Sequence, residues 1–129
     1  MVKAQEFLIE TDILIEHLTH KTKATESTLE KFMQKGICYT SVINASELLF
    51  SVNNIEDRDS VIQLLNSLKV LGLNSRYSLS VPGLNKKVRT NRDALVYVLA
   101  KINKLKIVTL DNKKYKNVSD QVKVIIPKR

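Results

Sequence analysis

The chain has 129 residues, and its 21 Lys or Arg against 13 Asp or Glu give a formal net charge of +8. This length predicts one soluble domain over residues 1–129 with a single core. Hydrophobic residues make up 43% of the chain, which excludes intrinsic disorder. Cys38 is the only cysteine, which excludes an internal disulfide framework and a multi-cysteine zinc site and suits a reducing compartment.

The start of the chain does not have the pattern of a targeting segment. A secretory signal needs an uninterrupted apolar stretch, and Glu10 and Asp12 interrupt the first one. A transmembrane helix needs roughly 18 or more apolar residues, and no segment approaches that length. We therefore expect a cytoplasmic protein that does not enter a membrane.

Charge is divided unevenly between the two halves of the chain. Residues 1–59 contain 6 Lys or Arg and 10 Asp or Glu, whereas residues 60–129 contain 15 Lys or Arg and 3 Asp or Glu. A basic surface attracts polyanions, and each phosphate contact releases condensed counterions. The basic half therefore predicts a nucleic-acid partner bound through its backbone, with a solvated lysine-rich surface as the alternative interpretation.

The spacing of apolar residues predicts strands that alternate with helices. Strands are predicted over 7–9, 37–40, 69–73, 106–110 and 122–126. A helix is predicted to follow the first strand, and further helices are predicted over 25–35, 42–52, 57–67 and 91–104. Gly36 ends the second helix and Ser41 is placed to cap the third. The third helix is apolar on nearly all sides, which predicts that it is buried. Residues 74–88 are predicted to form a loop and a short helix.

Alternating strands and helices predict an α/β domain with a mostly parallel sheet of four or five strands. Ligands of such sheets bind at the carboxyl ends of the strands. Acidic residues occur at or near the predicted carboxyl ends and on the helices that follow them, namely Glu10, Asp12, Glu47, Asp93 and Asp111. We expect these residues to converge in the folded chain.

Converging carboxylates repel one another unless a cation neutralises them. Mg²⁺ prefers oxygen ligands, and bound divalent ions assist hydrolysis of phosphodiesters. Each acid also has a structural interpretation. Asp93 with Thr90 fits a helix cap, Asp111 fits a turn, and Asp12 fits a cap of the first helix. Glu10 and Glu47 lie in apolar surroundings, where an ion pair with a lysine or arginine is the alternative.

Four segments in order resemble the PIN-domain family, particularly its VapC-like toxin ribonucleases. The segments are FLIETDILIEHL, TSVINASELLF, RDALVYVLAK and KIVTLDNKKYKNV, and the resemblance extends from Phe7 to Val118. It implies a PIN-like α/β/α sandwich, a cluster of acids that binds Mg²⁺ or Mn²⁺, and endonucleolytic cleavage of RNA. Many relatives are homodimers that an antitoxin holds inactive, so the resemblance also implies these partners.

The resemblance assigns roles to individual residues. Catalysis and metal binding are expected of Glu10, Glu47, Asp93 and Asp111, with Asp12 as an auxiliary metal ligand and Thr11 and Thr109 as supporting residues. Charge density and proximity to Asp93 suggest that the RNA backbone binds Lys86, Lys87, Arg89 and Arg92. The family normally has Asp where this chain has Glu10. The alternatives are a catalytically degenerate PIN module that binds RNA or a partner protein, and a scaffold whose acids are caps and ion pairs.

Overall fold

A computed structural model describes residues 4–20 and 24–128 of the chain. Its strands are β1 (Gln5–Ile9), β2 (Gly36–Ser41), β3 (Lys69–Leu71), β4 (Lys106–Val108) and β5 (Val124–Ile125). Its helices are α1 (Thr11–Thr19), α2 (Thr28–Lys35), α3 (Val42–Ser51), α4 (Ile55–Asn66) and α5 (Asn91–Ile102). Within these residues, no helix has the length and apolar character needed to cross a membrane.

The five strands form one parallel sheet in the order β3-β2-β1-β4-β5. The chain adds β2 and β3 on one side of β1 and then returns to add β4 and β5 on the other side. The strand order therefore reverses between β1 and β4. In parallel sheets this switch point forms a crevice at the carboxyl ends of the strands, where polar side chains from both strands meet.

Helices cover both faces of the sheet. Phe7 and Ile9 of β1 point into one core cluster, which contains residues from α1, α2, α3 and α4. Leu8 points into a second cluster, which contains residues of α5. Phe7 and Ile9 lie on one face of the sheet and Leu8 on the other, because successive side chains of a strand point to opposite faces. The predicted α/β/α sandwich with a mostly parallel sheet is therefore confirmed.

Hydroxyl side chains fix the starts of three helices. Ser41 Oγ accepts a hydrogen bond from the amide of Asn44 at the start of α3, as the sequence predicts. Thr90 Oγ1 accepts from the amide of Asp93 at the start of α5. Helix α2 begins at Thr28, later than predicted, because Ser27 caps it through a reciprocal pair of hydrogen bonds with Glu30.

The expectation that α3 is buried on all sides is wrong. Asn44, Ala45 and Leu48 are buried, but Phe50 is 94% exposed and Leu49 is 38% exposed. The helix lies on one face of the sheet, so only one side of it contacts the core. Apolar residues on the other side remain in solvent, and the sequence pattern does not distinguish the two sides.

Most predicted strands are longer than the observed ones. β3, β4 and β5 keep only two or three residues each, since pairing ends where the neighbouring strand ends. Residues 74–88 contain a 3₁₀-helical segment, Ser75–Leu84, that includes Pro82. This arrangement agrees with the predicted loop and short helix.

We expect Gly36→Ala to destabilise the fold, because a Cβ at Gly36 would lie 2.2 Å from the carbonyl oxygen of Gln5 in the neighbouring strand. Forcing an extra carbon atom into a tightly packed position lowers the free energy of unfolding by about 1–3 kcal/mol. The free energy of unfolding in urea measures the effect. Gly72→Ala is the matched control, since no atom lies within 4 Å of its added Cβ. Equal stabilities of the two variants would contradict the described pairing of β1 with β2.

Candidate functional site

Glu10 is the centre of a group of acids at the carboxyl edge of the sheet. It follows β1 directly, and its side chain is fully buried. The chain turns into α1 at this residue, where the Glu10 carbonyl accepts hydrogen bonds from the amides of Ile13 and Leu14. A buried carboxylate is unfavourable unless it is paired, so the partners of Glu10 define the site.

Arg92, on the first turn of α5, binds three acids with one guanidinium group. Its contacts are Nη2 to Glu10 Oε1 (2.7 Å), Nη1 to Glu10 Oε2 (2.9 Å), Nη2 to Glu47 Oε1 (2.8 Å), Nε to Glu47 Oε2 (3.1 Å) and Nη1 to Asp93 Oδ1 (2.8 Å). A guanidinium has five N–H donors, and these five contacts use all of them. Arg92 is therefore fully engaged with carboxylate oxygens.

Three further side chains bind Glu10, and the sequence analysis assigned none of them to the site. Asn44 Nδ2 donates to Glu10 Oε1 (2.8 Å), the Tyr115 hydroxyl donates to Oε2, and Lys114 Nζ lies 3.5 Å from Oε2. Asn44 is a polar residue in the largely apolar segment VINASELLF, which is a signal for a buried polar role. Lys114 and Tyr115 follow the carboxyl end of β4 by several residues, and their sequence position gives no comparable signal.

Thr11, one of the two predicted supporting residues, lies within this group. Its hydroxyl donates to Glu47 Oε1 (2.5 Å) and accepts from Asn44 Nδ2 (2.9 Å). Glu47 is itself partly exposed, with 39% of its side chain accessible. Thr11 and Asn44 therefore connect the buried Glu10 to the more exposed Glu47 on α3.

Asp12 binds the end of β4 and does not contact the guanidinium. Its Oδ2 accepts from Thr109 Oγ1 (2.7 Å) and from the amide of Leu110 (2.8 Å), while Oδ1 accepts from the amide of Ile13 (2.8 Å). Asp12 and Thr109 thus join the start of α1 to the end of β4 across the switch point. Asp12 lies in the first turn of α1, and Glu10 is the N-cap residue.

Asp93 and Asp111 take part in the local structures that their sequence contexts predict. The amide of Asp93 binds Thr90 at the helix cap, while its carboxylate binds Arg92. Asp111 Oδ1 accepts hydrogen bonds from the amides of Lys113 (2.9 Å) and Lys114 (3.2 Å), which closes a turn after β4. The structure therefore brings Glu10, Glu47 and Asp93 together on Arg92, while Asp111 binds its own turn.

The basic residues predicted to contact RNA lie in different environments. Lys86, Lys87 and Arg89 are exposed in the segment before α5, whereas only 23% of the Arg92 side chain is accessible. Arg89 lies close enough to Asp111 to act on it electrostatically. Lys87 borders a separate cleft between the Ser75–Leu84 segment and α5.

The electrostatic environment lowers the pKa of Glu10, Glu47 and Asp111. Burial alone raises the pKa of Glu10, but hydrogen bonds and positive charge from Arg92, with Lys114 and Tyr115, outweigh burial and lower it from 4.5 to about 2. The hydrogen bond from Arg92 lowers the pKa of Glu47. For Asp111, the amide of Lys113 is the main cause of a lowered pKa, and the charges of Lys114 and Arg89 add to it.

The resemblance implies Mg²⁺ or Mn²⁺ at these acids, and the arrangement does not fit such an ion. The carboxylate oxygens are of the kind that Mg²⁺ prefers, but a guanidinium lies between them. In the part of the chain that the structure describes, no three His, Cys, Asp or Glu side chains are grouped to hold a metal. The positive charges of Arg92 and Lys114 already compensate two of the three negative charges of Glu10, Glu47 and Asp93.

We expect Glu10 to make folding stability dependent on pH. Its pKa is lower in the folded chain than in the unfolded chain, so its contribution is present above about pH 4.5 and is lost as the pH falls towards 2. A shift of this size corresponds to about 3 kcal/mol. Urea unfolding at several pH values measures it. Glu10→Gln should have a lower free energy of unfolding at pH 7 than the unaltered protein. Its free energy of unfolding should also fall less between pH 4.5 and pH 2 than that of the exposed control Glu56→Gln. An equal fall in the two variants would contradict the Glu10–Arg92 pair.

The fold is similar to those of several solved structures. A chain of the VapBC2 complex from Rickettsia felis bound to a promoter DNA fragment matches with a TM-score of 0.75 and 16% identity, covering 94% of this chain and 98% of that one. VapBC-1 from nontypeable Haemophilus influenzae matches with a TM-score of 0.73 and 19% identity, and the match covers 94% of this chain and 97% of that one. A toxin–antitoxin complex from Klebsiella pneumoniae matches with a TM-score of 0.72 and 15% identity, and the match covers 92% of this chain and 95% of that one. Because the sequence identities are this low, these matches show a shared fold and not a shared function.

The search of curated proteins finds no match. The family model described as PIN domain matches residues 7–120. This match includes β1 to β4 and all the acids considered above. Because the model extends over most of the chain and the sheet has the parallel order described, the chain belongs to the PIN domain family.

Proposed function

We propose that this PIN domain binds RNA through basic residues at the carboxyl edge of its sheet and does not cleave it by a metal-dependent reaction. The observation that carries the proposal is that the Arg92 guanidinium lies between Glu10, Glu47 and Asp93 and binds all three carboxylates. A site in this form offers no place for a divalent ion, but its surroundings remain positively charged.

The basic surroundings support the binding of a phosphate backbone. Arg89 precedes Arg92 by three residues, and Arg92 binds Glu10. Lys114, from the turn after β4, has its Nζ 3.5 Å from the same Glu10 carboxylate, so both basic segments reach the carboxyl edge of the sheet. Lys113 is exposed in the same turn. Lysine and arginine side chains at an open edge bind phosphates and give affinity with little dependence on sequence.

RNA binding at this edge predicts a specific effect of Arg89→Gln. Loss of one phosphate contact should weaken binding of single-stranded RNA and reduce the slope of log affinity against log salt concentration by about 0.7. Fluorescence anisotropy with a labelled RNA at several salt concentrations measures both quantities. Arg58→Gln is the matched control, because Arg58 is an exposed arginine on α4. Absence of RNA binding by the unaltered protein, or equal effects of the two variants, would overturn the proposal.

A metal-dependent endoribonuclease is the second candidate function. It is supported by the convergence of Glu10, Glu47 and Asp93, which match acids of the family motif, on one cationic group. In this form the protein would be the toxin of a toxin–antitoxin pair, and the likeness of its fold to chains of such complexes agrees with that role. A homodimer and an antitoxin partner belong to this candidate.

One experiment separates the two candidates. The purified protein is incubated with single-stranded RNA and millimolar Mg²⁺ or Mn²⁺, and the RNA is examined for new ends. Retention of intact RNA supports the binding module. Cleavage that needs the metal and is lost in folded Asp93→Asn supports the nuclease, and that variant also controls for contaminating nucleases. Light scattering and co-purification with the product of the neighbouring gene test the homodimer and the antitoxin.

A further inference from the structure

The guanidinium of Arg92 lies where the acids of the site converge. Glu10, Glu47 and Asp93 belong to three separate elements of the fold, the end of β1, α3 and α5. Their oxygens lie 2.7–3.1 Å from guanidinium nitrogens. The three carboxylates bind one cation that is part of the chain, and while Arg92 lies between them no three acids of the described residues are grouped to hold a metal.

We propose that Arg92 is a built-in cation that replaces a divalent metal ion in this PIN domain, so that the guanidinium and the metal exclude each other. The geometry at Glu10 supports this. Glu10 binds Arg92 through both carboxylate oxygens, a two-bond geometry that suits the planar guanidinium.

The hydrogen-bond pattern shows that the pair is fully satisfied without another ligand. Both oxygens of Glu10 have partners, with Asn44 on one oxygen and Tyr115 and Lys114 on the other in addition to Arg92. Among residues 4–20 and 24–128, no buried side-chain nitrogen or oxygen lacks a partner. A metal ion at this point would have to break several of these bonds.

The position of Arg92 in the first turn of α5 also supports the proposal. The first turn of a helix carries a partial positive charge, which disfavours an arginine there. Arg92 is the second residue of α5, so its charge is unfavourable with respect to the helix and is stabilised by the acids. A surface arginine selected for solubility does not need this placement.

The inference concerns the same edge of the sheet as the proposed RNA binding. Its test measures metal binding and uses no RNA, so the result does not depend on whether the protein binds RNA. Mn²⁺ binding is measured by isothermal titration calorimetry and by the Mn²⁺-dependent shift of the melting temperature. We expect no binding to the unaltered protein at millimolar Mn²⁺. Folded Arg92→Gln should bind Mn²⁺ at least about tenfold more tightly, because one positive charge has left the acids.

Matched variants make the result specific. Arg58→Gln removes the same charge from an exposed position on α4 and should behave like the unaltered protein. Glu47→Gln in the Arg92→Gln background should abolish the gained Mn²⁺ binding. If Arg92→Gln does not fold without metal, recovery of its circular dichroism on adding Mn²⁺ supports the inference. If it stays unfolded, Arg92→Met, which removes the charge and keeps much of the apolar side-chain length, takes its place and should bind Mn²⁺ more tightly than the unaltered protein.

Two results would overturn the inference. The first is Mn²⁺ binding by the unaltered protein as tight as that of the Arg92 variant, since the guanidinium would then not compete with the metal. The second is a folded Arg92 variant that binds no Mn²⁺, since the acids alone would then not form a metal site. An RNA-binding result of either kind leaves this inference unaffected, whereas Mn²⁺ binding by the unaltered protein would overturn the inference and would favour the nuclease as the function.

Discussion

A carboxylate buried at the end of the first strand imposes the main physical constraint on this molecule. Removing Glu10 from water is costly, and the cost is offset only where a positive group and several hydrogen-bond donors reach it. Arg92 supplies the charge and two parallel hydrogen bonds, while Asn44 and Tyr115 supply neutral donors. The end of β1, α3, α5 and the turn after β4 must therefore be placed correctly relative to one another.

The strand order makes this possible. Because β4 pairs beside β1, the turn after β4 reaches the same edge as Glu10. Asp12 and Thr109 reinforce the junction with a hydrogen bond between the start of α1 and the end of β4. The network is thus a structural element as well as a candidate site. Breaking one charged pair there should affect folding, so any variant of these residues has to be tested for folding as well as for function.

The same edge combines two opposite electrostatic characters. Its interior contains acids, and its exterior contains lysines and arginines from the basic half of the chain. Because Arg92 and Lys114 offset most of the negative charge of the interior acids, the exterior charge dominates the interaction with ligands. A polyanion is then attracted to the rim. The proposed RNA binding and the built-in cation therefore both start from the position of Arg92, and the RNA binding depends in addition on the exposed basic residues.

Much of the fold follows from local patterns in the sequence. The alternation of apolar segments predicted the parallel sandwich, and Ser41 and Thr90 were recognisable as helix caps because a cap depends on residues three positions apart. The acids were identified as a group because strand ends and helix starts meet at one edge of a parallel sheet.

Other features depended on distant contacts. The apolar character of α3 did not reveal that Phe50 faces solvent, since exposure depends on which side meets the sheet. Arg92 looked like a surface residue for RNA, whereas the structure places it on Glu10, which is 82 residues away in sequence. The sequence by itself determined the family, the main elements and the acids that follow the strands. Only the tertiary structure decided that Glu10, Glu47 and Asp93 meet on Arg92 and that Asp111 binds its own turn, because electrostatic pairing depends on distance in space and not on position along the chain.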